Sequence, residues 1–198
     1  TPADPSLVYA TIEASGDEKG FYRSRDRGES WEKRNGYISG GTGPHYYQEI
    51  EASPTNPDLV YQMDVFLHVT RNGGATFDIL ETGHDKHSDN HALVIDRADG
   101  RHLIVGTDAG VYESFDEGKT WRQFPNLPVS QFYKVALNNR EPFYDILGGA
   151  QDLGTLHGPS RTTNRDGIQN QDWYVPLGAD GYGVAFDPRD PDILYMMW

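Results

Sequence analysis

Cysteine is absent from the 198 residues of this sequence, which excludes disulfide bonds, thiolate metal sites and a cysteine nucleophile. No segment approaches the roughly 18 consecutive apolar residues that a membrane-spanning helix needs. Basic residues are scarce, because 17 Lys and Arg stand against 30 Asp and Glu. The resulting net charge of −13 disfavours a nucleic-acid partner.

Familiar catalytic signatures are missing as well. The sequence has no G-x-S-x-G nucleophile elbow, no phosphate-binding P-loop and no dinucleotide-binding fingerprint. Sialidase chemistry would need an arginine cluster for the carboxylate of its sugar. Five of the arginines fall instead on predicted outer strands or turns, namely Arg71, Arg97, Arg101, Arg122 and Arg140. Sialidase activity is therefore disfavoured.

Long helical periodicity is also lacking, whereas glycine, proline and aromatic residues are plentiful. There are 22 Gly and 12 Pro, and aromatic residues make up 12% of the chain. Short apolar runs separated by Gly- and Pro-rich turns are typical of an all-β sandwich, barrel or propeller.

Three eight-residue segments share one pattern, and it selects among these folds. They are Ser24–Trp31, Thr70–Phe77 and Ser114–Trp121. Each reads hydroxyl, any residue, Asp or Asn, any residue, Gly, any residue, hydroxyl, large aromatic. Their starts are 46 and 44 residues apart, and a period of that size indicates one supersecondary unit copied along the chain.

Each position of the pattern has a mechanical reason. A short Asp or Asn side chain accepts hydrogen bonds from backbone N–H groups ahead of it and holds a tight turn. Glycine two positions later adopts positive φ without a Cβ clash. The closing Trp or Phe is a large apolar plate that we expect to be buried between neighbouring units, with an indole N–H left to bond.

These segments resemble the Asp-box, or BNR repeat, of β-propellers that include sialidases, sortilin-type receptor domains and xyloglucan-hydrolysing enzymes. The sortilin-like bacterial proteins often labelled glycosyl hydrolases are the most similar group. The resemblance implies that the boxes lie at hairpins between the two outer strands of each blade, away from the ligand face, and that the protein is secreted or periplasmic. It gives a structural role to Asp26, Trp31, Asn72, Phe77, Asp116 and Trp121.

The predicted fold is an all-β propeller segment of four blades and part of a fifth, each blade a four-stranded antiparallel sheet. The blades cover roughly residues 1–36, 37–82, 83–126, 127–176 and 177–198 of one domain. Residues 160–173 replace a fourth box with a longer hairpin. An EF-hand loop that starts at Thr162 fails because its first position is not acidic and its twelfth is Trp173. We expect further blades or a partner chain to complete the ring.

Two Gly-flanked loops of adjacent blades, 106–110 and 149–154, each present an aspartate toward the propeller axis. Asp108 and Asp152, or Asp180 in place of one of them, would be the general acid and base of a glycoside hydrolase. The alternative is that each aspartate caps its own turn by accepting backbone N–H groups.

Histidines concentrate in the segment 83–91, interleaved with aspartates. His87, Asp89 and His91 are weak candidates for a divalent metal, because their spacing matches no recognised zinc signature. A hydrogen-bonded pair of Asp89 and His91 that stabilises the pore mouth explains the segment equally well. No cofactor is otherwise expected.

Tyrosines at equivalent strand starts complete the candidate site. Tyr46, Tyr133 and Tyr182 would offer stacking platforms to a ligand, with Gln151, Asp89 and His91 beside them, or would pack between blades. The leading hypothesis is a non-catalytic recognition or scaffold module outside the cytoplasm that binds a protein segment or glycan. A polysaccharide-degrading hydrolase is the alternative, and a structural subunit that pairs its open sheet edges with a partner is a third.

Overall fold

The computed structural model describes residues 1–36, 49–81, 85–127 and 129–198. Regular structure in these residues is almost entirely antiparallel strand, with two single 3-10 turns at Gly16–Glu18 and Asn170–Asp172. Helices long and apolar enough to cross a membrane are absent from this part of the chain. The chain divides into two compact units, Thr1–Pro125 and Asn126–Trp198.

The first unit contains three sheets, each made of strands that are consecutive in sequence. The first sheet has the order β1-β2-β3, the second β4-β5-β6-β7 and the third β8-β9-β10-β11. The strands are β1 Val8–Ile12, β2 Gly20–Ser24, β3 Glu32–Asn35, β4 Ile50–Ala52, β5 Val60–Gln62, β6 His68–Thr70, β7 Asp78–Ile79, β8 Asn90–Ile95, β9 Leu103–Thr107, β10 Gly110–Ser114 and β11 Arg122–Gln123.

The main core of this unit lies between its second and third sheets. Tyr61 of β5 is paired directly with Val69 of β6, so the two side chains share one face of the second sheet. They belong to one buried cluster with Leu103 and Val105 of the third sheet. Burying each such side chain contributes about 1.5–3 kcal/mol, which makes the packing of sheet on sheet the main stabilising term.

The first sheet is joined to the second by polar as well as apolar contacts. The Tyr9 hydroxyl donates to the Pro57 carbonyl at 2.9 Å, and Thr11 donates to the Gln62 amide oxygen at 3.1 Å. The Phe21 and Phe77 rings meet edge to face at 4.9 Å. These directional contacts fix the register of one sheet on the next.

The second unit has one complete sheet and one two-stranded sheet. The order is β12-β13-β14-β15 in the first and β16-β17 in the second, and β16 packs beside β12 and β13. The long connection 160–173 joins β14 to β15, as predicted. The strands are β12 Phe132–Leu137, β13 Asp145–Ala150, β14 Gly154–Pro159, β15 Tyr174–Leu177, β16 Val184–Phe186 and β17 Leu194–Met196.

The predicted fold class is confirmed. Three sheets have four antiparallel strands in sequence order, two of them in the first unit and one in the second, which is consistent with part of a propeller. The first sheet has three strands and the last has two among the described residues.

The repeated segments form hairpins with one hydrogen-bond network. In the third, between β10 and β11, Asp116 Oδ1 accepts the Thr120 N–H at 2.9 Å and the Ser114 hydroxyl at 2.8 Å. The Ser114 hydroxyl oxygen in turn accepts the Gly118 N–H at 2.9 Å. The other two hairpins repeat these bonds, at 2.9, 2.7 and 2.8 Å in the first and 2.9, 3.0 and 2.8 Å in the second.

The closing aromatics behave less uniformly than expected. Trp121 is buried in the core between the second and third sheets, and Phe77 packs on Phe21 of the first sheet. Trp31 is 43% exposed, so the expectation that it would be buried between neighbouring repeats is wrong for the described residues. Its indole N–H donates to the Gly28 carbonyl within its own hairpin at 3.1 Å. In the second and third hairpins the closing aromatic packs on the sheet that precedes its own. Trp31 belongs to the first sheet, which no described sheet precedes.

Candidate ligand-binding site

Two tyrosines lie side by side on the second unit. Tyr133 is on β12 and Tyr182 is in the segment before β16, with ring centroids 5.5 Å apart and planes 56° apart. The two residues are 40% and 51% exposed. The Tyr133 hydroxyl donates to the side-chain oxygen of Gln151, which follows β13. The pair is therefore an accessible aromatic surface with one ring anchored by an amide.

A β-bulge aims the Tyr133 side chain. The register of β12 against β13 shifts between Phe132 and Lys134, which makes Tyr133 the extra residue. Bulges redirect a side chain and increase the local twist of a strand. The bulge explains why the Tyr133 ring, at the start of β12, is directed toward Gln151.

Glycines bring Tyr182 close to this strand end. The Gly181 N–H donates to the Ala150 carbonyl at 2.9 Å. A Cβ atom on Gly149 would collide with the Gly181 carbonyl, and one on Gly181 would collide with the Gly154 carbonyl. Only residues without a side chain permit so close an approach of the two backbones.

Two of the predicted catalytic aspartates also lie at this strand end. Asp152 adopts a left-handed φ of 54° in the turn between β13 and β14, and its N–H donates to Asp180 Oδ1 at 3.0 Å. Asp180 thus stabilises a strained turn of the neighbouring sheet. The capping alternative expected each aspartate to accept N–H groups of its own turn, whereas here the turn that contains Asp152 is held by Asp180 from another turn.

The third predicted catalytic residue, Asp108, lies in the first unit. His91 Nε2 is 2.6 Å from Asp108 Oδ1, with the imidazole 34% and the carboxylate 9% exposed. His91 is also the extra residue of a bulge, between Asn90 and Ala92. The structure thus places Asp108 at the His91 ring, a contact that the sequence did not predict.

Register shows that His91 and Tyr133 occupy equivalent positions. Each follows the first residue of its strand, and the neighbouring strands pair Asn90 with Thr107 and Phe132 with Ala150. The residue after the second strand is then Asp108 in one sheet and Gln151 in the other. Asp108 is therefore equivalent to Gln151, and Asp152 lies one residue further along its loop.

His87 and Asp89 of the histidine-rich segment lie just before β8. Asp89 has a φ of 60°, and its Oδ2 accepts the Ser88 hydroxyl at 2.6 Å. His87 Nδ1 lies 4.0 Å from Asp89 Oδ2. Across the described ranges, no group of three or more His, Asp or Glu side chains is placed to hold a metal ion. Tyr46, like His45, Tyr47 and His84, lies outside the described residues.

A buried ionic network beside this segment was missed from the sequence. The Lys86 ammonium contacts Glu81 and donates to the His87 carbonyl at 2.7 Å and to Asn90 Oδ1 at 2.6 Å. Burial lowers the pKa of Lys86, while Glu81 opposes that shift. The repeated pattern contains no signal for Lys86, because its partners are Glu81 and His87, which lie between β7 and β8, and Asn90, the first residue of β8. The network positions the start of β8 and hence His91.

Comparison with known proteins gives structural similarity alone. No family profile and no curated protein matches the sequence. A GH74 xyloglucanase from Xanthomonas campestris has 19% identity and a TM-score of 0.48, over 98% of this chain and 33% of that protein. YCF48 bound to D1 peptide has 14% identity and a TM-score of 0.45, over 98% of this chain and 59% of that one. YCF48 from Cyanidioschyzon merolae has 14% identity and a TM-score of 0.41, over 96% of this chain and 63% of that one. The chain thus spans between one third and two thirds of their lengths.

Proposed function

We propose that this chain is a non-catalytic recognition module that binds an extended ligand, glycan or protein segment, on the surface formed by Tyr133, Tyr182 and Gln151. The observation that carries the proposal is the pairing of two exposed tyrosine rings, one of them anchored by Gln151. Aromatic faces offer large contact area at low conformational-entropy cost. The hydroxyl groups and the amide supply hydrogen bonds that orient a polar ligand.

The aspartates favour recognition over hydrolysis. A glycoside hydrolase needs two carboxyl groups that face each other across the scissile bond. Asp180 instead accepts the backbone N–H of Asp152, and Asp108 is nearly buried against His91. Each of these two carboxylates thus has a structural partner within its own unit.

We further propose that the module belongs to the Asp-box propellers and works outside the cytoplasm, completed by further blades or a partner chain. The shared network of the three hairpins supports the group assignment. The placement outside the cytoplasm follows from the resemblance to that group. Fractionation of cells that express the intact gene product tests it.

Binding to immobilised glycans and to a library of extended peptides tests the main proposal. Tyr133→Ala and Tyr182→Ala should each weaken binding about tenfold, a loss of roughly 1.4 kcal/mol. Tyr144→Ala is the matched control, because Tyr144 is 45% exposed in the same unit and lies at the opposite end of β13. Equal losses in all three variants would contradict the proposed surface.

A hydrolase assay separates the alternative. The recognition module should release no sugar from any glycan that it binds. Turnover that disappears in Asp152→Asn or Asp108→Asn while the fold persists would instead establish the hydrolase.

A further inference from the structure

A second cluster of titratable groups lies on the third sheet of the first unit, away from the start of β8. His102 immediately precedes β9, and both of its ring nitrogens face carboxylates. Nε2 is 2.9 Å from Glu113 Oε1 on β10, and Nδ1 is 3.4 Å from Asp96 Oδ2 in the turn after β8. The ring therefore bridges the β8–β9 turn and the hairpin of the outer strands.

This geometry specifies the charge of the ring. An ionised carboxylate only accepts hydrogen bonds, and a neutral imidazole has only one N–H to donate. Both contacts are hydrogen bonds only when His102 is an imidazolium. When the proton leaves, one ring nitrogen presents a lone pair to a carboxylate, and that contact becomes repulsive.

The surroundings hold the ring in place. His102 stacks on Phe115 with centroids 4.5 Å apart and an interplanar angle of 9°. The other charged groups facing it are Arg122 of β11, which pairs with Glu113, and Asp99, which acts on it electrostatically from the turn. The hydrogen bond with Glu113 raises the pKa of His102, and the bond with Asp96 adds to this against partial burial.

We propose that His102 is a pH-dependent clasp that ties the β8–β9 turn to β10 while its ring is protonated. The direction follows from the raised pKa. The clasp is fully closed below the ordinary histidine pKa of about 6.5 and is lost as the pH rises through the folded-state value. Opening releases the Asp96 side chain, which otherwise also accepts the Ala98 and Asp99 N–H groups at 2.7 and 3.3 Å.

The chain contains a matched turn without the clasp. In the second unit Asp187 Oδ1 accepts the Arg189 and Asp190 N–H groups at 2.8 and 3.2 Å. The other oxygen, Asp187 Oδ2, accepts the Tyr195 hydroxyl at 2.8 Å. Ile193 takes the place of His102, because its carbonyl accepts the Asp187 N–H at 3.0 Å as the His102 carbonyl accepts that of Asp96. A tyrosine hydroxyl keeps its proton across the range in which histidine titrates.

Amide hydrogen exchange and an NMR titration of the whole chain test the clasp. Protection factors of Ala98 and Asp99 should fall roughly two- to fivefold between pH 6 and pH 8, the range that surface ion pairs produce. Those of Arg189 and Asp190 should stay constant. The His102 ring should titrate above its ordinary pKa, and Asp96→Asn should lower that pKa.

The variants His102→Gln and Asp96→Asn should each remove the pH dependence of protection at Ala98. Asp96 is on an exposed turn, so its variant remains informative if His102→Gln does not fold. A His102 ring that titrates at or below its ordinary pKa would overturn the proposal. Protection that changes equally in both turns would overturn it as well.

Discussion

The imidazole of His91 lies 2.6 Å from the carboxylate of Asp108, in the register where the Tyr133 hydroxyl bonds Gln151 in another sheet. In both sheets a bulged residue of the first strand reaches a polar side chain just past the second strand. The scaffold thus brings together the same two positions in both sheets, and the side chains at these positions differ from sheet to sheet. A ligand-binding surface can vary at such positions without altering the strands.

Replacing Asp108 tests whether its role is structural. Asp108→Ala should lower the free energy of unfolding of the first unit by about 1–2 kcal/mol, because a nearly buried hydrogen bond is lost. Asp108→Asn keeps an acceptor for His91 and should cost less. The destabilisation by each substitution is measured by urea unfolding, with hydrogen exchange of the β8 and β9 amides as the readout. Equal destabilisation by the two substitutions would contradict a role based on accepting a hydrogen bond.

The equivalent glycines of two hairpins predict different tolerance to alanine. Gly74 has a φ of 87°, and a Cβ atom there would meet the Phe21 ring and lie 3.2 Å from Arg34 Cβ. Gly28 has a φ of 97°, but its Cβ atom would meet only Trp31 at an ordinary 3.8 Å. Gly28→Ala should cost about 1 kcal/mol of backbone strain, and Gly74→Ala clearly more. Urea midpoints of the two variants measure the difference, and equal midpoints would show that the Phe21 contact adds nothing.

The hairpins were predictable because their bonds are local. Every bond of the Asp116 network joins residues no more than four apart in sequence, so the pattern of residue types contains the whole interaction. The exposure of Trp31 was not predictable in this way, since burial of the closing aromatic depends on a preceding sheet. The repeated pattern predicts the hydrogen bonds within the hairpin but not which sheet packs against its closing aromatic.

The residues of the candidate site could be identified from the sequence, but the contacts between them could not. Tyr133, Tyr182 and Gln151 were identified because loops at strand ends carry binding residues. Their contacts depend on a bulge in β12 and on the backbone approach of Gly181 to β13. Both features arise between segments distant in sequence, and neither has a local signature.

The buried ionic network predicts a large cost for removing one charge. Lys86→Met leaves the Glu81 carboxylate buried without its ammonium partner, and such a loss typically costs about 3–5 kcal/mol. The double variant Lys86→Met with Glu81→Gln removes both charges and should recover part of that cost. Lys119→Met is the control, because Lys119 is exposed in the same unit. Unfolding free energies from urea titration provide the measurement, and a Lys86→Met variant as stable as the control would show that the pair adds nothing.

His68 predicts acid sensitivity of the first unit. Burial lowers the pKa of His68, against weaker opposing effects of Asp64 and Glu81. Among the described residues its Nε2 has no hydrogen-bond partner. The unfolded chain then binds a proton near pH 6.5 that the folded chain takes up only at lower pH. Stability should therefore fall as the pH drops from about 6.5 toward the folded-state pKa, by at most about 1.4 kcal/mol per pH unit.

The variant His68→Gln removes this titration while keeping a polar side chain of similar size. Because the pKa of His102 is shifted in the opposite direction, the two histidines partly cancel in the wild-type profile. The comparison is therefore made in a His102→Gln background, with urea midpoints at pH 7, 6 and 5. We expect the midpoint to fall on acidification when His68 is present and to change less in His68→Gln. Parallel profiles for the two proteins would mean that His68 is protonated in the folded state at the same pH as in the unfolded chain.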